Sequence, residues 1–407
     1  MKLRASAMYY ALVVSLIMSV VLSLLILISY YYRIQSVQFS LKNKLILNSQ
    51  SGIAYQMSSS VPIGTTKFDL FGVGNDSLIV TKKPWGLYEQ LTSIAFQGTD
   101  TFALSAIVGS NSEMYDKTAL YLSSTANSLS LAGSTSLIGD LYLPKNGLKK
   151  VNIEGKHFTG SIFNENQIGV SSNLLPTLKS TLHTTSPLFL NESNMFQEVE
   201  LASGEDLYRS FKDKAFVLRT GNLVISNNHL KGNIYIQSTG VVRVSGIAIL
   251  EDVFIDAETV IIEDNFEGSL QILAKDSVII GENVHLNYPS AIQLSSNSNG
   301  VVKIKQDCKI YGAVLIHRSR ESLYDNLLYI GSDATIMGDV YCDGLVEMKG
   351  QVFGSLFCEG FYLKTNSGLY SNYLLDAKID VNRKPAEFIS APMFASSKNK
   401  MIVKWLY

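Results

Sequence analysis

Charge is what this chain of 407 residues has least of: only 17% of its residues are Asp, Glu, Lys or Arg, and 34 basic residues nearly cancel 35 acidic ones. A chain so close to neutral has no long-range field to draw in a polyanion, which excludes nucleic acid as a partner. Histidine is scarce as well, and the five present, His157, His183, His229, His285 and His317, never fall three or four residues apart. With no cysteine at ligand spacing beside them, neither a metal nor any other cofactor is expected. There is no glycine-rich phosphate loop, no G-x-S-x-G elbow and no nucleophile with an evident base, so the chain reads as non-enzymatic.

The scarcity of charge becomes complete between Ala5 and Tyr32, a run flanked by Lys2, Arg4 and Arg33. At ~1.5 Å per residue it crosses a ~30 Å hydrocarbon layer with some tilt, which predicts a single-pass transmembrane helix. Its far end, Ile28-Ser29-Tyr30-Tyr31-Tyr32-Arg33, offers no small-x-small cleavage site and suits an interfacial aromatic anchor. The short basic start favours an N-terminus inside the inner (cytoplasmic) membrane and a body that is periplasmic or otherwise extracytoplasmic. Small residues at Ala7, Ala11, Ser15, Ser19 and Ser23 recur every fourth position, a face through which helices associate in lipid. Ile34, Val37, Leu41 and Leu45 then continue at steps of three and four, predicting an amphipathic stem to about Gly52 within an N-terminal unit of residues 1–60.

Beyond the stem the dominant signal is a ladder of short apolar couplets of the V-x-I kind. It includes Leu223/Ile225, Val242/Val244, Val260/Ile262 and Val278/Ile280, with others such as Val253/Ile255, Leu270/Ile272 and Val340/Cys342 between them. Every second couplet begins about 18 residues after the last, with Gly, Asn, Asp or Ser turns in the gaps, as a parallel β-helix requires. The fold class expected is therefore all-β with one N-terminal transmembrane α-helix: a parallel β-helix (β-solenoid) plus a small antiparallel β unit. That unit occupies residues 61–118, where runs at 67–73, 77–81, 87–96 and 102–108 surround the hairpin signal Gly74-Asn75-Asp76. First β-helix rungs are expected at 119–164, and an insertion at 165–215 that leaves one rung and returns to the next, with charges from Glu198 to Lys214 spaced as on an exposed helix. The main β-helix follows at 216–372. A C-terminal tail at 373–407 ends in the strand-like run Met401 to Tyr407, which is expected to cover an open edge.

Three features of the ladder are candidates for function. Cys342 and Cys358 lie one rung apart in matching contexts, Val340-Tyr341-Cys342-Asp343-Gly344 and Leu356-Phe357-Cys358-Glu359-Gly360, so they form either a disulfide or a pair of buried core thiols. A looser stretch around 318–326 projects a loop in which His317, Arg318, Arg320 and Tyr324 are the best candidates for contacts to a partner. Carboxylates at Asp252, Asp256, Glu263 and Asp264, and at Asp339, Asp343, Glu347 and Glu359, fall on successive turns, as they do in β-helices that act on glycans; as turn formers they need no such role.

Two resemblances follow. Gly338-Asp339-Val340, Gly350-Gln351-Val352-Phe353-Gly354-Ser355-Leu356 and the stacked Cys-containing repeats resemble the bactofilin family over roughly residues 223–370, which implies a polymer-forming scaffold on a parallel β-helix. The basic start, the long apolar helix and the extension Leu45-Ile46-Leu47-Asn48-Ser49-Gln50-Ser51-Gly52-Ile53 look like a minor pilin or pseudopilin, although Ala5 stands where such proteins commonly carry Glu and the Gly that precedes processing is absent. Together they imply a membrane-anchored, non-enzymatic structural or assembly component of a bacterial envelope or pilus-like surface apparatus. Its expected partners are the membrane and either other proteins or further copies of itself. The alternatives are a carbohydrate-binding or cleaving β-helix, for which the partner is a glycan, and a cytoskeletal polymer.

Overall fold

Val and Ile at alternate positions favour a pleated strand with one face buried. In the computed structural model of the chain those couplets stack as a parallel β-solenoid of about eleven turns. Residues 5–58, 63–69, 76–111, 115–123, 128–162, 168–183, 196–318, 325–394 and 399–406 are described. Each turn has three short strands, one on each of three faces, here called A, B and C. On face A, Ile236, Ile255, Ile272, Ile292, Val314, Val340 and Leu356 lie in register from turn to turn. On face B the column is Leu223, Val242, Val260, Val278, Val302, Leu328 and Val346. Face C contributes one inward residue per turn, in the column Leu230, Leu250, Gly268, Leu286, Ile310, Ile336, Val352 and Ile379. Two faces thus correspond to the couplets, and the third carries too few apolar residues to make one.

The corners explain the turn residues. Between faces B and C, Asn265, Asn283, Asp307 and Asp333 adopt the left-handed conformation that short polar side chains tolerate, and each precedes a buried corner residue: Phe266, Val284, Cys308 and Ala334. Between faces C and A, Gly312, Gly338 and Gly354 stack on one another at φ near +150°. A Cβ on Gly338 would lie 1.7 Å from the Gly312 carbonyl oxygen, and one on Gly354 would lie 2.0 Å from that of Gly338, so only glycine fits at these two positions.

The order of the turns differs from the order of the chain. The rungs at 119–164 do not precede the main ladder; they stack on its far end. Leu120 pairs with Leu356, Ser130 with Tyr373 and Leu137 with Ile379, and the strands Asp140–Leu143 and Ile168–Val170 add the last turns beyond. The stack Tyr341, Phe357, Tyr121 and Tyr142 crosses this seam with interplanar angles of 29°, 28° and 28°. The insertion consequently does not return to a neighbouring rung. Its described part descends face A: Tyr121 Oη accepts from the Ser172 amide, Tyr341 Oη donates to the Pro176 carbonyl, and Gln293 donates to that of Leu182. The ladder resumes at its opposite end with the strand Phe196–Glu198. No helix spans 198–214; that segment forms the first turn, whose strands Phe196–Glu198 and Asp206–Arg209 expose polar side chains because nothing described lies beneath them.

A single helix, α1 (Ala5–Ser58), precedes four antiparallel strands: β1 (Gly64–Phe68), β2 (Asp76–Trp85), β3 (Tyr88–Gln97) and β4 (Asp100–Asn111). The turn residues Gly74 and Asn75 lie outside the described residues. The C-terminal strand Asn399–Leu406 does cover an open edge, that of β4, so it completes a five-stranded sheet and the solenoid is inserted between two neighbouring strands of it. One sheet face receives the second half of α1, with Leu45 against Leu78, Val80 and Ala95, and Ile53 against Leu91 and Val108. The other packs on solenoid face A through Trp85, Leu87, Tyr88, Ile107 and Leu406. The helix continues past Gly52 because that glycine is the point of closest approach to the sheet: a Cβ there would lie 2.3 Å from Ser93 Oγ and 2.8 Å from Leu78.

Candidate functional site

The first half of α1 is built unlike everything after it. From Met8 to Phe39 its large apolar side chains are exposed, with Val13 and Ile34 half-exposed, and no described residue outside the helix covers them, whereas packing on the sheet begins at Leu41 and Leu45. Tyr9 and Tyr10 stand at one end of this run and Tyr30, Tyr31 and Tyr32 at the other, all solvent-exposed. Twenty residues from Tyr10 to Tyr30 rise about 30 Å, the thickness of a bilayer's hydrocarbon core, and aromatic rings at both margins match interfacial belts. Along one side Ala7, Ala11, Ser15, Ser19 and Ser23 are exposed. The three hydroxyls donate back to the carbonyls of Leu12, Leu16 and Ser19 at 2.9, 3.0 and 2.8 Å, so the stripe presents satisfied, small side chains.

The helix is tied to the solenoid through the sheet. The β2–β3 hairpin closes with Gly86 at φ +58°, and a Cβ there would meet Gln271 Oε1 at 2.0 Å, so the tip sits directly against face A. Lys404 of the closing strand donates to both carboxylate oxygens of the buried Asp252, at 2.9 and 2.6 Å. Asp252 occupies the same kind of corner as Gly312 and Gly338, at φ +57°, and its backbone strain is retained where the carboxylate is needed. The sequence signal for this corner is a glycine two residues before a face A couplet, at Gly232, Gly312, Gly338 and Gly354, with Gly139 marking the same place in the early rungs and Asp252 standing directly before its couplet.

The predicted partner loop is different from the expectation. His317 is buried on the outer side of face A, where its Nε2 lies 3.4 Å from Gln293 Nε2, so it cannot contact a partner. Arg320 and Tyr324 lie outside the described residues. Arg318 turns along the solenoid instead: it donates to Asp343 Oδ1 at 2.9 Å and Glu359 Oε2 at 2.5 Å, with Asp325 at 3.6 Å, bridging three successive turns. Burial, reinforced by the neighbouring Asp343 charge, pushes the Glu359 carboxyl up to about 7 even with Arg318 beside it.

Cys342 and Cys358 are in-register neighbours, buried and free, and burial raises both thiols far above the range in which a thiolate forms. Cys308 is a corner residue whose thiol donates to the Gly281 carbonyl. Most of the acidic residues are paired with a basic side chain along the solenoid. Asp252 is held by Lys404, Glu263 by Arg243 at 3.5 Å, Asp264 by Lys305 at 3.6 Å, Asp339 by Lys384 at 3.6 Å and Glu347 by Lys349 at 3.1 Å, while Asp256 is buried. Among the described residues no cluster could hold a metal ion.

No family model matches the chain, and no curated protein does. Among solved structures it is similar to the competence-associated pilin ComZ from Thermus thermophilus, at 10% identity over 85% of this chain and 88% of that one, with a TM-score of 0.20.

Proposed function

We propose that this chain is a membrane-anchored, non-enzymatic assembly component of a bacterial envelope or surface apparatus, with the first half of α1 in the inner membrane and the sheet and solenoid outside the cytoplasm. The observation that carries the reading is the uncovered apolar helix bracketed by Tyr9–Tyr10 and Tyr30–Tyr32, which runs without a break into a stem packed on the sheet. A rigid connection of this kind fixes the height and orientation of the body over the bilayer, which a structural component needs and a catalyst does not. The solenoid supports a finite spacer: turns from the chain's own early segment extend the far end of the ladder, and the column closes there on a strand of three residues, Ile168–Val170, a short edge of the kind that discourages further pairing.

Membrane fractionation tests the anchor. The full chain is expected in the carbonate-resistant membrane fraction, and Leu22→Arg is expected to move most of it out, because a charge at mid-bilayer costs roughly 2.5–3.5 kcal/mol. Wild-type protein released by carbonate would overturn the proposal.

A further inference from the structure

The turns of the solenoid act as controls for one another, and one turn breaks the rule the others keep. At the start of face C the register aligns His229, Ile249, Glu267, His285, Lys309 and Thr335, so Ile249 is the only apolar residue of the six. Two positions earlier, Asn265, Asn283, Asp307 and Asp333 precede the buried corner, and the corresponding residue of this turn is Ile247. Ile247 is 73% exposed and Ile249 is 49% exposed. Nothing in the solenoid's own packing requires either, since polar residues serve the same positions on neighbouring turns. Ile247 lines a groove of about 530 Å³ together with Ile261 and Ile279, and Arg243, Glu263, Asp264 and Lys305 also border it.

We propose that this surface is where two copies of the chain pack against each other across a two-fold axis. A projecting apolar side chain adjoins an apolar groove on the same surface, an arrangement satisfied reciprocally when identical surfaces meet: Ile247 of each copy enters the groove of the other. The rim charges are self-complementary in the same operation. Arg243 of one copy faces Glu263 or Asp264 of its partner, and the Arg243–Glu263 and Lys305–Asp264 pairs, long and exposed within one chain, leave donors and acceptors to spare. Contact through the solenoid is separate from association through the membrane helix and does not depend on the anchor.

The test is the oligomeric state of the full chain in detergent micelles at micromolar concentration. Wild type is expected to be dimeric. Ile247→Asn with Ile249→Glu installs residue types that neighbouring turns already carry, and is expected to raise the dissociation constant by about 100-fold without changing the thermal unfolding transition. Arg243→Glu should weaken the dimer and Glu263→Arg added to it should restore it, whereas Ser15→Leu with Ser19→Leu in the membrane helix should leave it intact. A monomeric wild type, a dimer indifferent to the Ile247 and Ile249 substitutions, or one lost with the membrane-helix variant would each overturn the proposal.

Discussion

Face A of the solenoid and the first half of α1 both carry dense apolar surface, and the protein treats them in opposite ways. Face A is apolar on both sides, and its outer side is covered by the sheet, the descending segment at 171–183 and the tail around Phe394. The first half of α1 is apolar over most of its circumference, and none of the other described residues covers it. The contrast between a surface so thoroughly buried and one left bare is what the proposed membrane anchor rests on, together with tyrosines at bilayer spacing.

The comparison can be broken at several points. The largest effect is expected from Gly338→Val, which forces a Cβ into the Gly312 carbonyl at a backbone angle that only glycine adopts freely: the solenoid should lose at least about 4 kcal/mol, while membrane partitioning of the helix is unchanged. Phe357→Ala removes a fully buried ring from the aromatic stack at the seam and should cost about 4 kcal/mol, with hydrogen exchange rising in residues 118–143 as well as 351–380. If exchange rises only in 351–380, the two segments are not stacked. Asp252→Gly removes the Lys404 contact and relieves the left-handed strain together, so the closing strand should exchange faster while the solenoid keeps its thermal transition.

The helix–sheet joint is more polar than the solenoid core, with Asn48, Ser49 and Gln56 of α1 buried and Ser93 buried on the sheet face that receives the helix. Gln56 finds no hydrogen-bond partner for its amide among the described residues, and Gln56→Leu is expected to stabilise the joint by about 1–2 kcal/mol, read as slower exchange in β3. A further effect concerns pH. Folded Glu359 holds its proton up to about 7, whereas the ordinary value is 4.5. The folded state therefore binds more protons than the unfolded state between those values, and the stability this gives at low pH is lost as pH rises through the window. Glu359→Gln should flatten that slope in thermal unfolding measured from pH 4.5 to 7.

Much of the ladder is legible from sequence because faces A and B each place two β-branched or leucine side chains inward per turn, and a period of two is visible in a single chain. Face C is not, since Leu250, Leu286 and Ile310 stand alone between a corner and a glycine or its substitute. The seam is hidden for another reason: parallel stacking joins Leu120 to Leu356, and local pattern says nothing about which turns are neighbours. A cue exists in Gly139-Asp140-Leu141-Tyr142, which repeats Gly338-Asp339-Val340-Tyr341 in type and in place on the turn. His317 looks like a loop residue by its proximity to Arg318 and the stretch that follows, but the outer side of face A is itself interior. Charges between Glu198 and Lys214 mimic an exposed helix because an end turn shows polar residues to water at irregular steps.

The most direct test of the whole account is a reporter that is active only outside the cytoplasm, fused after Tyr407 of the full chain. Because the C-terminal strand is part of the sheet that holds α1, the reporter must lie on the same side of the membrane as the solenoid. An active reporter in membrane-bound protein is the predicted result. An inactive reporter in membrane-bound, full-length fusion protein would contradict the anchor orientation and the extracytoplasmic role built on it.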